Sequence, residues 1–124
     1  MTMARTGLMT NVSPGAKAPG VVWVVHPVHG VDISPASEWG TVRYINSRYV
    51  YPDELDNSNN IPQDFAERLE TAANDFKDGD CLVMIGDHVQ VVTLIYKLAS
   101  KGKPFPLLRF DRQVGGYVPV QIGE

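Results

Sequence analysis

Cysteine is nearly absent from this 124-residue sequence, in which Cys81 is the only one. A lone cysteine excludes an intramolecular disulfide and a zinc site built from several thiolates. Cys81 lies in an apolar run, which indicates a packed, reduced thiol whose pKa is raised and whose reactivity is low. This cysteine usage favours a cytoplasmic setting.

Long apolar runs and an excess of positive charge are also missing. The sequence has no run of about 20 apolar residues, the length that a membrane span requires. Its start lacks the apolar core of a secretory signal. The formal net charge is −3, which disfavours nucleic-acid binding because such binding needs clustered Lys and Arg. Membrane insertion and nucleic-acid binding are therefore both disfavoured.

What is present is the composition of a globular domain, with 44% hydrophobic and 20% charged residues. A chain of this length suits a single core. The start of the chain is rich in Ser, Pro, Gly and Ala, which predicts a flexible arm over residues 1–19. A single domain over residues 20–124 is expected to follow.

Hydrophobic periodicity predicts an α/β domain with a mixed sheet of about five strands and two main helices. The predicted elements are strands at 20–25, 41–46, 80–85 and 106–112, a last strand after Gly116, and helices at 62–77 and 88–101. The first helix carries an apolar stripe formed by Phe65, Leu69, Ala72 and Phe76. Residues 46–61 show no period and predict a long loop.

Cys81 to Ile85 is apolar at every position, which is typical of a strand covered on both faces. This segment is therefore expected to be the central strand. With the helix at 88–101 and the strand at 106–112 it predicts a βαβ unit over 80–112, with Asp87 as the helix N-cap. The polar residues of that helix are expected to form one wet stripe, consisting of Gln90, Thr93, Lys97 and Ser100.

A C-terminal β-hairpin is expected after the βαβ unit. The apolar register favours a three-residue loop at Val114–Gly116, which aligns Leu108 and Phe110 with Val120 and Ile122. The opposite, wetter face would then carry Arg109, Asp111, Gln113, Tyr117, Pro119 and Gln121. Pro119 indicates an edge strand, and that edge allows a homodimer without establishing one.

Gly86, Asp87 and His88 follow the central strand, at the edge where parallel sheets bind ligands. Free N–H groups at a helix N-terminus can hold an anion, and Gly86 permits a close approach. One glycine is not a dinucleotide-binding or P-loop fingerprint, however. The favoured alternative is structural, with Gly86 as a tight turn and Asp87 as a helix cap.

His26, His29 and Asp32 follow the first strand and extend this candidate ligand site. Two imidazoles and a carboxylate can form an open metal site or an acid–base pair. The spacing H-x-x-H in a proline-broken loop is not a recognised metal motif, and solvated loop histidines are the favoured alternative. No metal, cofactor or catalytic residue is therefore assigned.

A second candidate surface mixes guanidinium groups with aromatic rings. Its residues are Arg48, Tyr49, Tyr51, Arg109, Arg112 and Tyr117. Arg and Tyr are enriched at the energetic centres of protein interfaces. The alternative is that the arginines pair with Asp53, Glu54 and Asp111 on a solvated surface, where ion pairs contribute little free energy.

The segments "DISPASEWGTVRYI", "GDCLVMIGD" and "LLRFDRQVGGYVPVQI" resemble segments of small accessory proteins encoded in tailed-bacteriophage genomes. The resemblance implies an accessory phage protein that acts in the cytoplasm of an infected bacterium. It carries over no active-site residue.

These observations lead to three hypotheses about function. The first is a non-enzymatic protein that binds a host or viral protein through the 46–61 loop and the terminal hairpin. The second is a metal-dependent hydrolase or nucleotide-binding enzyme, with its site beyond the ends of strands 20–25 and 80–85. The third is a regulator that binds nucleic acid, which the acidic balance disfavours.

Overall fold

A computed structural model describes residues 3–4, 6–7 and 20–123, and its main sheet has five strands. The strands are β1 (Val21–Val24), β2 (Thr41–Tyr44), β3 (Cys81–Val83), β4 (Phe105–Asp111) and β5 (Gly116–Ile122). The helices are α1 (Gln63–Asp75), α2 (His88–Ser100) and two 3₁₀ helices, Ser34–Trp39 and Pro52–Glu54. The predicted α/β domain with a mixed five-stranded sheet and two main helices is confirmed.

The strand order in the sheet is β2-β1-β3-β4-β5. The first four strands are parallel and β5 is antiparallel to β4. The connection from β1 to β2 crosses one face through the first 3₁₀ helix, whereas α1 and α2 cover the other face. Crossovers that step in opposite directions must use opposite faces if they share one handedness. The predicted βαβ unit is confirmed as β3-α2-β4.

The central position of β3 is confirmed by its burial on both sides. Leu82 packs into the cluster beneath α1 and α2, while Cys81 and Val83 pack into the cluster beneath the 3₁₀ helix. All three residues are buried, and burial raises the pKa of the Cys81 thiol to about 12. Cys81 is therefore a packing residue of the core.

Helix α2 forms as predicted and Asp87 is its N-cap, because its side chain accepts a hydrogen bond from the N–H of Val89. The predicted wet stripe is wrong at Gln90, which is completely buried. The most exposed large side chains of α2 are instead apolar or aromatic: Val89, Val92 and Tyr96. The polar side chain at Gln90 belongs to an internal network rather than to the solvent face.

The predicted register of the terminal hairpin is wrong. Asp111 pairs with Gly116 and Phe110 with Tyr117, so the connecting loop has four residues, 112–115. The carboxylate of Asp111 accepts hydrogen bonds from the N–H groups of Gln113 and Val114, which stabilises this wider turn. Because the register differs by an odd number of residues, every side chain of β5 faces the side opposite to the predicted one.

The predicted flexible arm, residues 1–19, lies outside the described residues except for two short strands. Met3–Ala4 pairs antiparallel with Thr6–Gly7. In the part of the chain that the structure describes, no helix combines the length and the apolar character needed to cross a membrane.

Candidate functional site

Three parallel strands end at one edge of the sheet, and most of the predicted site residues lie on the segments that follow them. His26 follows β1, the 46–61 loop follows β2, and Gly86 and Asp87 follow β3. In an open parallel sheet, ligand and partner sites form beyond the carboxyl ends of the strands. The side chains at this edge decide what the site can bind.

A buried amide holds the start of the long loop against α2. The Gln90 side chain donates hydrogen bonds to the carbonyl of Arg48 at 3.1 Å and to the Asp87 carboxylate at 3.2 Å. Its oxygen accepts a hydrogen bond of 2.9 Å from the Asn46 side chain. Because buried polar groups are costly unless they are paired, this network fixes the loop to the helix.

Asp87 has a second role besides capping α2. One carboxylate oxygen accepts from the N–H of Val89, and the other accepts from the N–H of Val50 at 3.0 Å. Asp87 and Val50 are both buried. The same carboxylate therefore starts the helix and anchors the middle of the loop.

The imidazole of His26 is also part of this packing. Its Nε2 accepts a hydrogen bond of 2.8 Å from the N–H of Asp87. Its Nδ1 lies 2.8 Å from the carbonyl of Pro27, and since a carbonyl can only accept, Nδ1 carries the proton. Gly86 has a φ of +94°, and a Cβ there would lie 3.0 Å from His26 Nε2. The glycine lets the turn pack against the imidazole.

The other residues of the predicted ligand site remain on the surface. His29, Asp32 and His88 are exposed. The Asp32 carboxylate accepts hydrogen bonds from the hydroxyl and N–H of Ser34, which lower the pKa of Asp32. Over residues 20–123, no three His, Cys, Asp or Glu side chains come together in a way that suits a metal ion. The ligand site remains a prediction, with its turn in place but without a histidine cluster.

Two tyrosines project into solvent from the anchored loop. Tyr49 and Tyr51 are 43% and 57% exposed, and their rings meet edge to face with centroids 5.0 Å apart. Val50, between them, is buried and tethered to Asp87. The buried valine therefore fixes the backbone from which both rings project.

Arg48 braces the loop from the side. Its guanidinium forms two contacts with the Glu54 carboxylate, at 2.6 and 2.8 Å, and lies 5.1 Å from the centre of the Phe65 ring. Glu54 also accepts a hydrogen bond from the N–H of Tyr51. Arg48 and this N–H lower the pKa of Glu54 to about 2. Of the surface ion pairs weighed from the sequence, the one between Arg48 and Glu54 forms.

A groove of about 650 Å³ lies between the end of the loop and the two α-helices. It reaches the tyrosines through Glu54, which lines it and accepts the hydrogen bond from the N–H of Tyr51. Carboxylates dominate the charges on its walls. The charged lining residues are Glu54, Asp56, Glu67, Glu70 and Lys97. Sequence reasoning missed this groove, although the spacing of Glu67 and Glu70 in α1 places both near one side of that helix.

The terminal hairpin does not form one surface with the tyrosine loop, residues 48–51. Tyr117 is only 6% exposed and packs against Phe110 on the face covered by the 3₁₀ helix. Arg109 pairs with Val118 on the opposite face, and Arg112 lies in the exposed turn. The six predicted partner-binding residues thus fall into separate groups, of which only Arg48, Tyr49 and Tyr51 lie together.

Comparison with known proteins places the whole sheet within one family. The model of the Phage Pam3 gp32-like protein family matches residues 21–124. The chain belongs to this family. No curated protein and no solved structure gives a significant match.

The Phage Pam3 gp32-like match confirms the resemblance to phage proteins that was drawn from three sequence segments. It extends from β1 to the end of the chain, so it includes the tyrosine loop, the groove and the hairpin. Membership of the family makes this chain a phage-associated accessory protein.

Proposed function

We propose that this phage accessory protein is a non-enzymatic binding protein that engages a host or viral protein in the cytoplasm of the infected cell. The tyrosine loop, defined as residues 48–51, provides the contact. The observation that carries the proposal is the exposed pair Tyr49 and Tyr51 on a backbone fixed by the buried Val50.

Rigid aromatic side chains favour binding for a physical reason. Binding costs free energy for every side chain and loop that must become ordered. Hydrogen bonds from Val50 to Asp87 and from Tyr51 to Glu54 order this loop before a partner arrives. Tyrosine also presents a large apolar ring and a hydroxyl that can form a hydrogen bond. The loop therefore gains contact area at a low entropic cost.

The adjoining groove supports a partner segment that carries Lys or Arg. Of its four carboxylates, Glu54 pairs with Arg48, and Glu70 pairs with Lys97 and Lys101. Asp56 and Glu67 have no cationic partner among the described ion pairs, and hydrogen bonds from Asn60 and Ser58 lower the pKa of Asp56. A cationic side chain in this groove would meet these two carboxylates, and the ring faces of Tyr49 and Tyr51 on the same loop also attract cations. The charged exterior of the groove would speed association at low ionic strength.

The test is affinity capture from lysate of infected host cells with the wild type and with a Tyr49→Ala/Tyr51→Ala double variant. Loss of a central aromatic contact weakens binding by about tenfold or more, so the double variant should lose the captured protein. The matched control is Tyr44→Ala, because Tyr44 is exposed to the same 43% as Tyr49 but lies in β2. An unchanged set of captured proteins with the double variant would refute the proposal.

A second candidate function is small-ligand binding between the ends of β1 and β3. The observation in its favour is topological, because the chain leaves β1 towards β2 and returns to β3 on the other side. Such switch points bind ligands in open α/β sheets. A thermal-shift screen with divalent cations and nucleotides tests this candidate, since a ligand that binds only the native state raises Tm. An unchanged Tm with every compound would exclude it.

A further inference from the structure

The outer surface of α2 is apolar where a solvent-facing helix is normally charged. Val89, Val92 and Tyr96 are 55%, 62% and 71% exposed, and Ala99 continues their line at helical spacing. We define these four residues as the α2 stripe. No exposed residue of α2 is Asp, Glu, Lys or Arg. On a surface helix of a globular domain the outer side is normally polar, so adjacent exposed apolar side chains there indicate a contact site.

The edge strand β5 also carries an exposed apolar residue. Val120 is 40% exposed and pairs with Leu107, which packs in the same cluster as the buried side of α2. Residues opposite each other in an antiparallel pair share one face. Val120 is therefore an exposed apolar residue on the same face of the sheet as α2.

The edge of β5 itself is poorly suited to pairing with another strand. The carbonyl of Leu108 accepts from the N–H of Met84, so the backbone of Leu108 points towards β3. Pro119 pairs with Leu108, and its backbone must consequently point outwards to the free edge. Proline has no N–H to donate there, which interrupts the edge as a template for a further strand. A dimer through that edge is disfavoured.

The absence of charge makes the α2 stripe suited to contact with a second copy of this chain. A twofold interface places one patch against the same patch of the other copy, so any charge on the patch opposes its own kind. The net charge of the chain is −3, yet the α2 stripe carries no charge. The α2 stripe can therefore face its own copy without charge repulsion.

The spacing of the residues in the α2 stripe favours an antiparallel arrangement of the two α2 helices in the dimer. Its residues are separated by three, four and three positions, a pattern that reads the same in both directions. In an antiparallel pair, Val92 lies opposite Tyr96 of the second copy, and Val89 lies opposite Ala99. In each of these pairs a larger side chain, Tyr96 or Val89, therefore packs against a smaller one, Val92 or Ala99. We propose that two copies of this chain dimerise through antiparallel α2 helices, with Val92 of each packed on Tyr96 of the other.

The experiment measures the molecular mass of the full chain by sedimentation over a wide range of concentration. The wild type should dimerise reversibly, and Val92→Glu and Tyr96→Lys should each weaken the dimer by about tenfold or more. Val89 of the α2 stripe also lines the groove, but Val92 and Tyr96 do not. The two variants therefore change neither the groove lining nor the tyrosine loop. Circular dichroism verifies that both variants keep their fold.

A mixing experiment tests the orientation directly. In the antiparallel dimer, a Val92→Glu chain mixed with a Tyr96→Lys chain gains one Glu–Lys contact and keeps one Val–Tyr contact. The mixture should therefore dimerise more strongly than either variant alone. Thr71→Glu on the exposed side of α1 is the control and should leave dimerisation unchanged. A wild type that stays monomeric, a dimer that survives both single variants, or a mixture without recovery would each overturn the proposal.

Discussion

The two helices on the same face of the sheet bury the same number of residues, but their exposed sides differ in polarity. Each has thirteen residues and buries four of them, so their contributions to the core are comparable. The exposed residues of α1 are Gln63, Asp64, Glu67, Arg68, Thr71, Asn74 and Asp75. The exposed residues of α2 are His88, Val89, Val92, Tyr96, Ala99 and Ser100. The exposed side of α1 is thus charged and polar, whereas the exposed side of α2 is mostly apolar, and this difference is the basis of the proposed dimer contact.

Their ends differ in a related way. Helix α1 begins at Pro62 without a side-chain cap, while α2 begins at Asp87, whose carboxylate also tethers the tyrosine loop. The C-terminal end of α1 is stabilised by a residue outside the helix, because Lys103 Nζ donates hydrogen bonds to the carbonyls of Ala73 and Phe76. Helix α2 thus organises the site, and α1 depends on the segment that follows α2.

The largest expected effect concerns the shared core. Leu94→Ala in α2 and Leu69→Ala in α1 remove completely buried side chains, and each should lower the free energy of unfolding by about 2–5 kcal/mol. Val92→Ala, on the exposed side of α2, should change it by less than about 0.5 kcal/mol in the monomer. Urea denaturation at low protein concentration measures all three. A cost at Val92 equal to that at Leu94 would show that the α2 stripe is already covered within one chain.

The second expected effect concerns the helix starts. Asp87→Ala removes the cap of α2 and leaves the buried N–H of Val50 without an acceptor. The combined cost should be about 2–3 kcal/mol of unfolding free energy. Asp64→Ala is the control in α1, where the carboxylate is exposed and pairs only with Arg68 at 3.5 Å among the described contacts. An equal loss of unfolding free energy in the two variants would show that the N-terminal carboxylate matters no more in α2 than in α1.

The elements of this fold were predictable because burial imposes a period on the sequence. Phe65, Leu69 and Ala72 repeat at helical spacing, and all three are buried beneath α1. The continuous apolar run around Leu82 similarly predicted a strand covered on both faces. The hairpin register was less accessible, because a side-chain turn at Asp111 overrides the simpler glycine loop.

The site was predictable only in part. Tyr49 and Tyr51 were singled out by residue type, and both are exposed, while their contact role stays a prediction. The polar network that orders them was missed, because Gln90 has the spacing of a solvent-facing residue and its partners Asn46 and Arg48 are more than 40 positions away. Single-sequence periodicity carries no information about such distant pairings. Tyr117 was misplaced together with the register of β5.

The smallest expected effect concerns the contact between the two helices. Glu70 of α1 accepts hydrogen bonds from Lys101 at 2.7 Å and Lys97 at 2.9 Å, and these bonds lower the pKa of Glu70 from 4.5 to about 2. A carboxylate with a lowered native pKa stabilises the fold fully above its unfolded pKa and loses this contribution as the pH falls towards its native pKa. The stabilisation should therefore disappear between about pH 4.5 and pH 2.

Glu70→Gln removes this titration, so the difference in stability between wild type and variant should be largest above pH 4.5 and should shrink towards pH 2. The effect should be small and should weaken with added salt, because the carboxylate is 43% exposed and solvent screens such pairs. Urea denaturation over this pH range provides the measurement, and Glu67→Gln, an acidic residue of α1 outside the two lysine contacts, is the control. Parallel stability curves for wild type and Glu70→Gln would mean that the lysines add nothing to the joint between α1 and α2. The two helices would then be held together by their buried apolar faces alone.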